Sequence, residues 1–237
     1  MLVADAGVSR GDLVIEPGGG AGALTQALAQ VGADVTVVER DPALVAQLRG
    51  RFCRTPHVEI VEGDASTFAW PARDFSVVAN LPFVGSGAIL SHLLGDPRVP
   101  LRRADVIVQW ELAAKHAAVW PGTLRSTYWR AWFDVVITRR LARTAFSPVP
   151  SVDAAVLRFE RLTQARVAAA HHQAYWRFLA AAFATRQPLR RALAGSLSPL
   201  QIKRLAPALG FAPDCRPWDL DADQWARLFL AAADSPR

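Results

Sequence analysis

The sequence predicts an α/β fold: a doubly wound, mostly parallel sheet followed by a small all-helical domain. Three observations carry this. Short β-rich runs alternate with helical stretches through the first 110 residues. A glycine-rich turn follows the first of these runs. After Arg161 the strand signals stop and helical periodicity takes over. Alternating β and α signals are the pattern of a parallel sheet with helices on its faces.

The elements follow in order. Residues 12–16 (DLVIE) form the first strand, and a helix begins at Ala23 after the glycine turn. Residues 33–39 (ADVTVVE) form the second strand, followed by a helix over 41–52. Residues 58–64 (VEIVEGD), 75–82 (FSVVANLP) and 104–110 (ADVIVQW) are three further strands. Residues 132–140 (WFDVVITRR) and 152–160 (VDAAVLRFE) have little helix between them and read as a closing pair with an antiparallel member. Beyond them, residues 164–186 place Tyr175, Phe178, Leu179, Ala182 and Phe183 on one helical face. A short helical run starts at Pro188. Residues 198–210 predict a helix with Ser198 as N-cap, Pro199 in the first turn and Gly210 as its stop. Residues 221–234 predict a last helix capped by Asp221. The expected division is 1–161 for the sheet domain and 162–237 for the helical one.

Composition excludes several classes. The chain has 237 residues, 51% hydrophobic and 20% charged, which is neither disordered nor fibrous. No apolar run approaches the length of a membrane span, and no secretory signal is visible at the N-terminus, so a cytoplasmic location is expected. Cys53 and Cys215 stand alone, which argues against a disulfide framework or a zinc site. His171 and His172 have no partner carboxylate or cysteine nearby in sequence, so no metal is expected.

Net charge is +6 and uneven. Residues 1–101 hold 7 Arg against 11 Asp and Glu, whereas residues 102–237 hold 20 Lys and Arg against 10 Asp and Glu. Arginine pairs with phosphate through two parallel hydrogen bonds and stacks on bases, so the basic half suggests a polyanionic partner. A GC-rich genome favours arginine and alanine whatever the function, and would give an arginine bias without any such partner.

The glycine turn reads Glu16-Pro17-Gly18-Gly19-Gly20-Ala21-Gly22 at the carboxyl end of the first strand. Such a turn lets backbone approach a ligand closely. Glu39 ends the next strand and can accept hydrogen bonds from ribose hydroxyls. Asp64 ends the third strand, ahead of Ala65, where a carboxylate can accept from the exocyclic amine of an adenine. Together these point to an adenosine-containing cofactor, without separating a nicotinamide dinucleotide from S-adenosylmethionine.

Asn80-Leu81-Pro82-Phe83 follows the fourth strand. Asn/Asp-x-Pro-aromatic at this place resembles the signature of methyltransferases acting on planar amino groups. With Glu16, Gly18, Gly20 and Gly22, Glu39 and Asp64, the chain resembles the rRNA adenine N-6 dimethyltransferase family. Two more stretches are similar to that family: residues 146–153 (FSPVPSVD) and 108–113 (VQWELA). The Trp-rich residues 120–132, together with LSPLQIKRLAPALGF and LDADQWARLF, resemble actinobacterial erythromycin-resistance (Erm) methyltransferases, which modify large-subunit rRNA.

The resemblance implies a Rossmann-like class I methyltransferase sheet with a helical RNA-contacting domain. It implies S-adenosylmethionine as cofactor, held by Glu16, Gly18, Gly20, Gly22, Glu39, Asp64, Ala65 and Asn80. It implies methylation of an adenine amine in 23S rRNA, with macrolide-type resistance as the consequence; nothing in the sequence suggests more than a monomer. An aromatic amine is a poor nucleophile because its lone pair is delocalised into the ring. It needs positioning and hydrogen-bond acceptors rather than a strong base. The Asn80 side chain and the Leu81 carbonyl would accept from it, Pro82 would stiffen the turn, and Phe83 would stack on the adenine. Phe146 would close over the base, and Arg125, Arg139 and Arg140 would face the RNA.

Other readings stay open at this stage. A small-subunit (16S) rRNA dimethyltransferase shares the same motifs. A nicotinamide-dependent oxidoreductase shares the glycine turn and Glu39, but it leaves residues 80–83 unexplained and no Tyr-x-x-x-Lys pair is present. The family carries a Gln-x-Phe-Leu arm ahead of its first helix that is not found here, and Trp110 stands where a basic residue is common. Weakened cofactor or RNA contacts, or a catalytically weak RNA-binding homologue, are the corresponding expectations.

Overall fold

The computed structural model describes residues 2–146, 149 and 151–233. The chain divides into two compact units, Met1–Ala113 with Asp134–Arg161, and Ala114–Phe133 with Leu162–Arg237.

The first unit begins with a short helix, α1 (Leu2–Asp5), which sequence periodicity is too brief to reveal. It continues with β1 (Leu13–Pro17), α2 (Ala23–Val31), β2 (Asp34–Glu39), α3 (Pro42–Phe52), β3 (Val58–Glu62), β4 (Phe75–Asn80), α4 (Ser86–Leu94) and β5 (Leu101–Gln109). After α5 (Trp110–Ala117) and α6 (Leu124–Trp129), the chain returns to the sheet as β6 (Phe133–Leu141) and β7 (Ala154–Arg161). The sheet has seven strands in the order β3-β2-β1-β4-β5-β7-β6. The first five are parallel to their neighbours, and β7 runs antiparallel to β5. The doubly wound sheet with an antiparallel closing member is the predicted one.

Val, Ile and Ala fill the inner strands because both faces of a parallel sheet are covered. Val14, Leu28, Val35, Val37, Leu48, Phe52 and Val78 form one buried cluster that locks α2 and α3 onto β1, β2 and β4. Asp41 caps α3 by accepting from the Ala43 amide at 2.8 Å, with Pro42 in the first turn.

One polar cluster interrupts the apolar sheet. Asp105, buried in β5, is gripped by Arg103 Nε at 2.5 Å and by Arg158 Nε at 2.8 Å. Both guanidinium groups also donate to the Asp5 carbonyl, at 2.5 and 2.9 Å. The last carbonyls of a helix lack intrahelical partners, and these arginines supply them for α1.

The second unit contains α6, α7 (His172–Phe183), α8 (Leu189–Ala192), α9 (Pro199–Leu209) and α10 (Ala222–Ala233). Its centre is aromatic: Tyr128, Trp132, Tyr175, Phe178, Trp225 and Phe229 meet at edge-to-face and offset contacts. Such pairs contribute about 0.5–1.5 kcal/mol each beyond their buried area. These rings explain why residues 114–133 cluster with the helical unit rather than with the sheet, where the sequence division put them. Trp132 also donates its indole N–H to the Val167 carbonyl at 2.7 Å, and the Leu162 amide donates to the Trp132 carbonyl at 2.9 Å. The same bonds hold residues 162–168 out of a helix, so the helix expected over 164–186 is shortened to α7. The caps read from sequence are in place: Ser198 and Gln201 form a capping box on α9, Gly210 ends it, and Asp221 with Gln224 caps α10.

Candidate active site

Parallel register aligns the carboxyl ends of β1, β2, β3 and β4 along one edge of the sheet, pairing Pro17 with Val38 and Glu39 with Glu62. A cavity of about 800 Å³ opens there. Cavities of about 300–1,000 Å³ hold ligands of small-molecule size. Of the sequence-predicted residues, Glu16, Gly18, Gly20, Glu39, Asp64, Ala65, Asn80 and Pro82 line it. Four separate βα junctions thus converge on one space.

The glycine turn forms its floor. Gly22 adopts φ +79° as the N-cap of α2, and a Cβ there would come within 2.9 Å of Leu48 Cδ2. Gly19, which sequence reasoning passed over, is tighter still: its Cβ would stand 2.4 Å from Val37 Cγ1. Gly18 faces the tetrapeptide, and a Cβ on it would approach Pro82 Cδ at 3.6 Å and the Asn80 carbonyl at 3.8 Å.

Three carboxylates surround the space in different states. Glu16 is buried and accepts from Thr25 Oγ1 at 2.6 Å. Burial pushes its carboxyl up to about 8, against the lowering effect of the Thr25 hydrogen bonds and with a smaller push from the nearby Glu39. Glu39 accepts three backbone amides: Gly20 at 3.1 Å, Arg40 at 2.9 Å and Asp41 at 3.0 Å. It ties the glycine turn to the start of α3, and three of a carboxylate's roughly four acceptor positions are thereby used. Asp64 is exposed and accepts from the Ser66 amide at 2.7 Å. Hydrogen bonds from Ser66 hold its carboxyl below the usual range.

Asn80 ends β4 with its side chain exposed at the cavity wall, where among the described residues its amide has no hydrogen-bond partner. Leu81 points the other way, into the core, and its amide donates to the Ile107 carbonyl at 3.1 Å. Ser86, almost fully buried, donates to the Pro82 carbonyl at 3.0 Å and lies 3.3 Å from that of Phe83, stapling the turn to α4. Phe83 is half-buried and does not line the cavity, whereas Val84 does and is 85% exposed at its rim.

The remaining predicted residues lie elsewhere. Phe146 is half-buried outside the cavity lining, and Ser147, Pro148 and Pro150 of its motif lie outside the described residues. Arg139 pairs with Asp5 at 2.8 Å. Arg140 pairs with Asp153 at 3.1 Å and covers the Trp110 ring at 4.4 Å. Arg125 is exposed on α6 of the second unit. Trp129 and Trp132 are buried, and Trp120 is exposed. His172 Nδ1 meets the Tyr128 hydroxyl at 3.2 Å. Among the described residues no group of three or more His, Cys, Asp or Glu is placed to hold a metal, and no helix is long and apolar enough to cross a membrane.

Comparison with known proteins gives this arrangement a family. The family model for ribosomal RNA adenine dimethylase matches residues 2–233. An rRNA adenine N-6-methyltransferase of Bacillus licheniformis is 31% identical over 231 residues, covering 96% of this chain and 80% of that protein. Ribosomal RNA small subunit methyltransferase A of a Synechococcus strain is 34% identical over 228 residues, covering 91% and 78%. Among solved structures, the 23S rRNA methyltransferase ErmE superposes with a TM-score of 0.85 over 98% of this chain and 96% of that one, at 24% identity. The fold is therefore the Rossmann-like methyltransferase fold, and the chain belongs to the ribosomal RNA adenine dimethylase family.

Proposed function

We propose that this chain transfers a methyl group from S-adenosylmethionine to the exocyclic amine of an adenine in large-subunit (23S) rRNA, and that the modification confers macrolide-type resistance. The observation that carries the reading is the position of Asn80 and Pro82, on the wall of the cavity that the glycine turn and Glu39 also line. Family membership supports methylation of rRNA. The likeness of residues 120–132, 197–211 and 220–229 to Erm enzymes supports the large-subunit target.

The residues present fit the cofactor. Gly18, at φ +78°, brings backbone close to the tetrapeptide, where a Cβ would fill the space up to van der Waals contact with Pro82 and the Asn80 carbonyl. Glu39 retains about one acceptor position for a ribose hydroxyl. Asp64 lines the same cavity and offers its carboxylate to an adenine amine. When bound, S-adenosylmethionine supplies an electrophilic methyl on a sulfonium centre.

The chain's own groups do the rest. Asn80 Oδ1 and the Leu81 carbonyl accept the two N–H bonds of the target amine, which favours a pyramidal nitrogen with its lone pair aimed at the methyl. Neither group needs to remove a proton before attack. The Ile107 and Ser86 hydrogen bonds hold the turn, so little reorganisation is needed during reaction. Phe83 stacks on the adenine once it leaves its helix, an interaction of about 1–3 kcal/mol. Catalysis by this site is mainly positioning.

The test is methyl transfer from labelled S-adenosylmethionine to protein-free large- and small-subunit rRNA, followed by mass spectrometry of the nucleosides. N6-methylated adenine in the large-subunit RNA alone is the expected result. Methylation of the small-subunit RNA alone overturns the target, and no transfer to either overturns the activity.

A further inference from the structure

A second pocket opens on the same edge of the sheet. It has a volume of about 310 Å³ and is walled by Trp110, Glu111, Arg140, Arg143, Ser151 and Asp153. Its position follows from register. Leu81 donates to Ile107 on β5, and Trp110 lies three residues further along that strand's exit. The separation is at most about 10 Å of backbone. The Trp110 amide in turn donates to the Asp153 carbonyl at 2.9 Å, extending the β5–β7 ladder beyond Gln109 and Ala154. The pocket is thus one strand away from the Asn80–Phe83 turn, on the same side of the sheet.

Its geometry is that of a prepared stacking surface. The Arg140 guanidinium lies 4.4 Å from the centre of the Trp110 ring, and the Asp153 carboxylate takes its Nη2 at 3.1 Å. Asp153 also accepts the Arg143 amide at 3.3 Å, which anchors it to the chain beyond β6. Held between a ring and a carboxylate, the guanidinium keeps one face covered, yet the Arg140 side chain is 60% exposed. Unpaired bases stack on guanidinium planes as well as on aromatic rings. Asp153 is held below the usual carboxylate range, by the Arg140 hydrogen bond first and the Arg143 amide next. The clamp therefore persists across the working pH range. Glu111 and Asp153 disfavour a phosphate inside the pocket, while the exposed Arg143 offers one at its rim.

We propose that this pocket is a subsite for the nucleotide next to the target adenine, with its base stacked on the outer face of Arg140, its ribose or base edge toward Glu111 and Ser151, and its phosphate at Arg143. This rests on the reading of the chain as an RNA methyltransferase and adds a specific neighbour to it. The pocket takes an unpaired nucleotide, because a base held within a helix already has both faces covered.

The experiment combines protein and RNA changes on the full chain. Fluorescence polarisation measures binding to a protein-free, unmethylated rRNA fragment carrying the target adenine, and methyl transfer to the same fragment is measured in parallel. Arg140→Ala and Arg140→Lys are compared with fragments in which each neighbour of the target adenine is made abasic in turn. One abasic site and either variant are each expected to weaken binding about tenfold. Combining them is expected to add little, since both remove the same stack. The KM for RNA rises in the variants while kcat and cofactor affinity stay near wild type. Independent, additive losses at every abasic position, or an Arg140→Lys protein that binds like wild type, overturn the subsite. Wild-type protein that binds the fragment but transfers no methyl overturns the functional reading alone, and the binding comparison still decides the pocket. Failure of wild type to bind the fragment overturns both.

Discussion

The Leu81 amide donates to the Ile107 carbonyl at 3.1 Å, one residue beyond the last register pair of β4 and β5, Asn80 with Ile107. The sheet ladder therefore continues into the tetrapeptide before Pro82, which has no N–H, ends it. Successive side chains along a strand point to opposite faces. Asn80 is thereby turned to the cavity and Leu81 to the core. The turn that carries the proposed chemistry is an extension of the hydrogen-bonded sheet.

Gly19→Ala is expected to destabilise the protein by about 1–3 kcal/mol, the usual result of overpacking. The new Cβ meets Val37 Cγ1 at 2.4 Å and Leu48 Cδ1 at 3.0 Å, and both neighbours are fully buried. A β-branched valine is restricted at χ1, so it yields little space. Urea unfolding measures the effect, and an unchanged midpoint would show that the turn yields without cost.

Glu16 makes stability of the ligand-free protein fall as pH rises. Its folded carboxyl titrates at about 8 against an ordinary value of 4.5, so between these values the folded state holds a proton that the unfolded state has lost. Stability is then fully present below about pH 4.5 and is lost progressively toward pH 8, by at most about 1.4 kcal/mol per pH unit. Glu16→Gln removes this dependence. Urea midpoints for the two proteins from pH 5 to pH 8 should converge at low pH and separate at high pH, with wild type the less stable. Parallel profiles would contradict the assignment.

Asp105→Ala leaves Arg103 and Arg158 facing each other with their shared partner gone. Both arginine side chains retain 20% exposure, which softens the penalty. The expected loss is about 3 kcal/mol, at the lower end for breaking a buried pair. Since Asp5 of α1 is held by the same arginines, amide hydrogen exchange in residues 2–6 should quicken together with the fall in stability. A variant as stable as wild type would show the triad to be neutral.

The sheet was legible because its signals are local. Each strand is a short Val/Ile run, and each junction at the site carries its own residue: Glu16, Glu39, Asp64, Asn80. Register alone brings the four together, and a parallel doubly wound sheet guarantees it. Gly19 was less legible, since its necessity comes from Val37 and Leu48, which lie elsewhere in the sequence. Thr25 and Ser86 escaped for the same reason: their bonds to Glu16 and to the Pro82 carbonyl appear only once helices α2 and α4 are placed. The placement of residues 114–133 was hidden because their tryptophans read equally well as strand neighbours. Only the contacts with Tyr175 and Val167 assign them to the helical unit. Arg139 also holds Asp5, a partner 134 positions away that no local pattern in the sequence reveals.

The most direct test of the central claim is Asn80→Ala, assayed both for methyl transfer to protein-free large-subunit rRNA and for S-adenosylmethionine binding by calorimetry. The account predicts transfer reduced at least a hundredfold, since removing one group that stabilises developing charge costs about that much. It predicts cofactor affinity within a few-fold of wild type, because Glu39 and the glycine turn remain. A variant that transfers methyl groups at the wild-type rate would contradict the role of Asn80 and, with it, the mechanism.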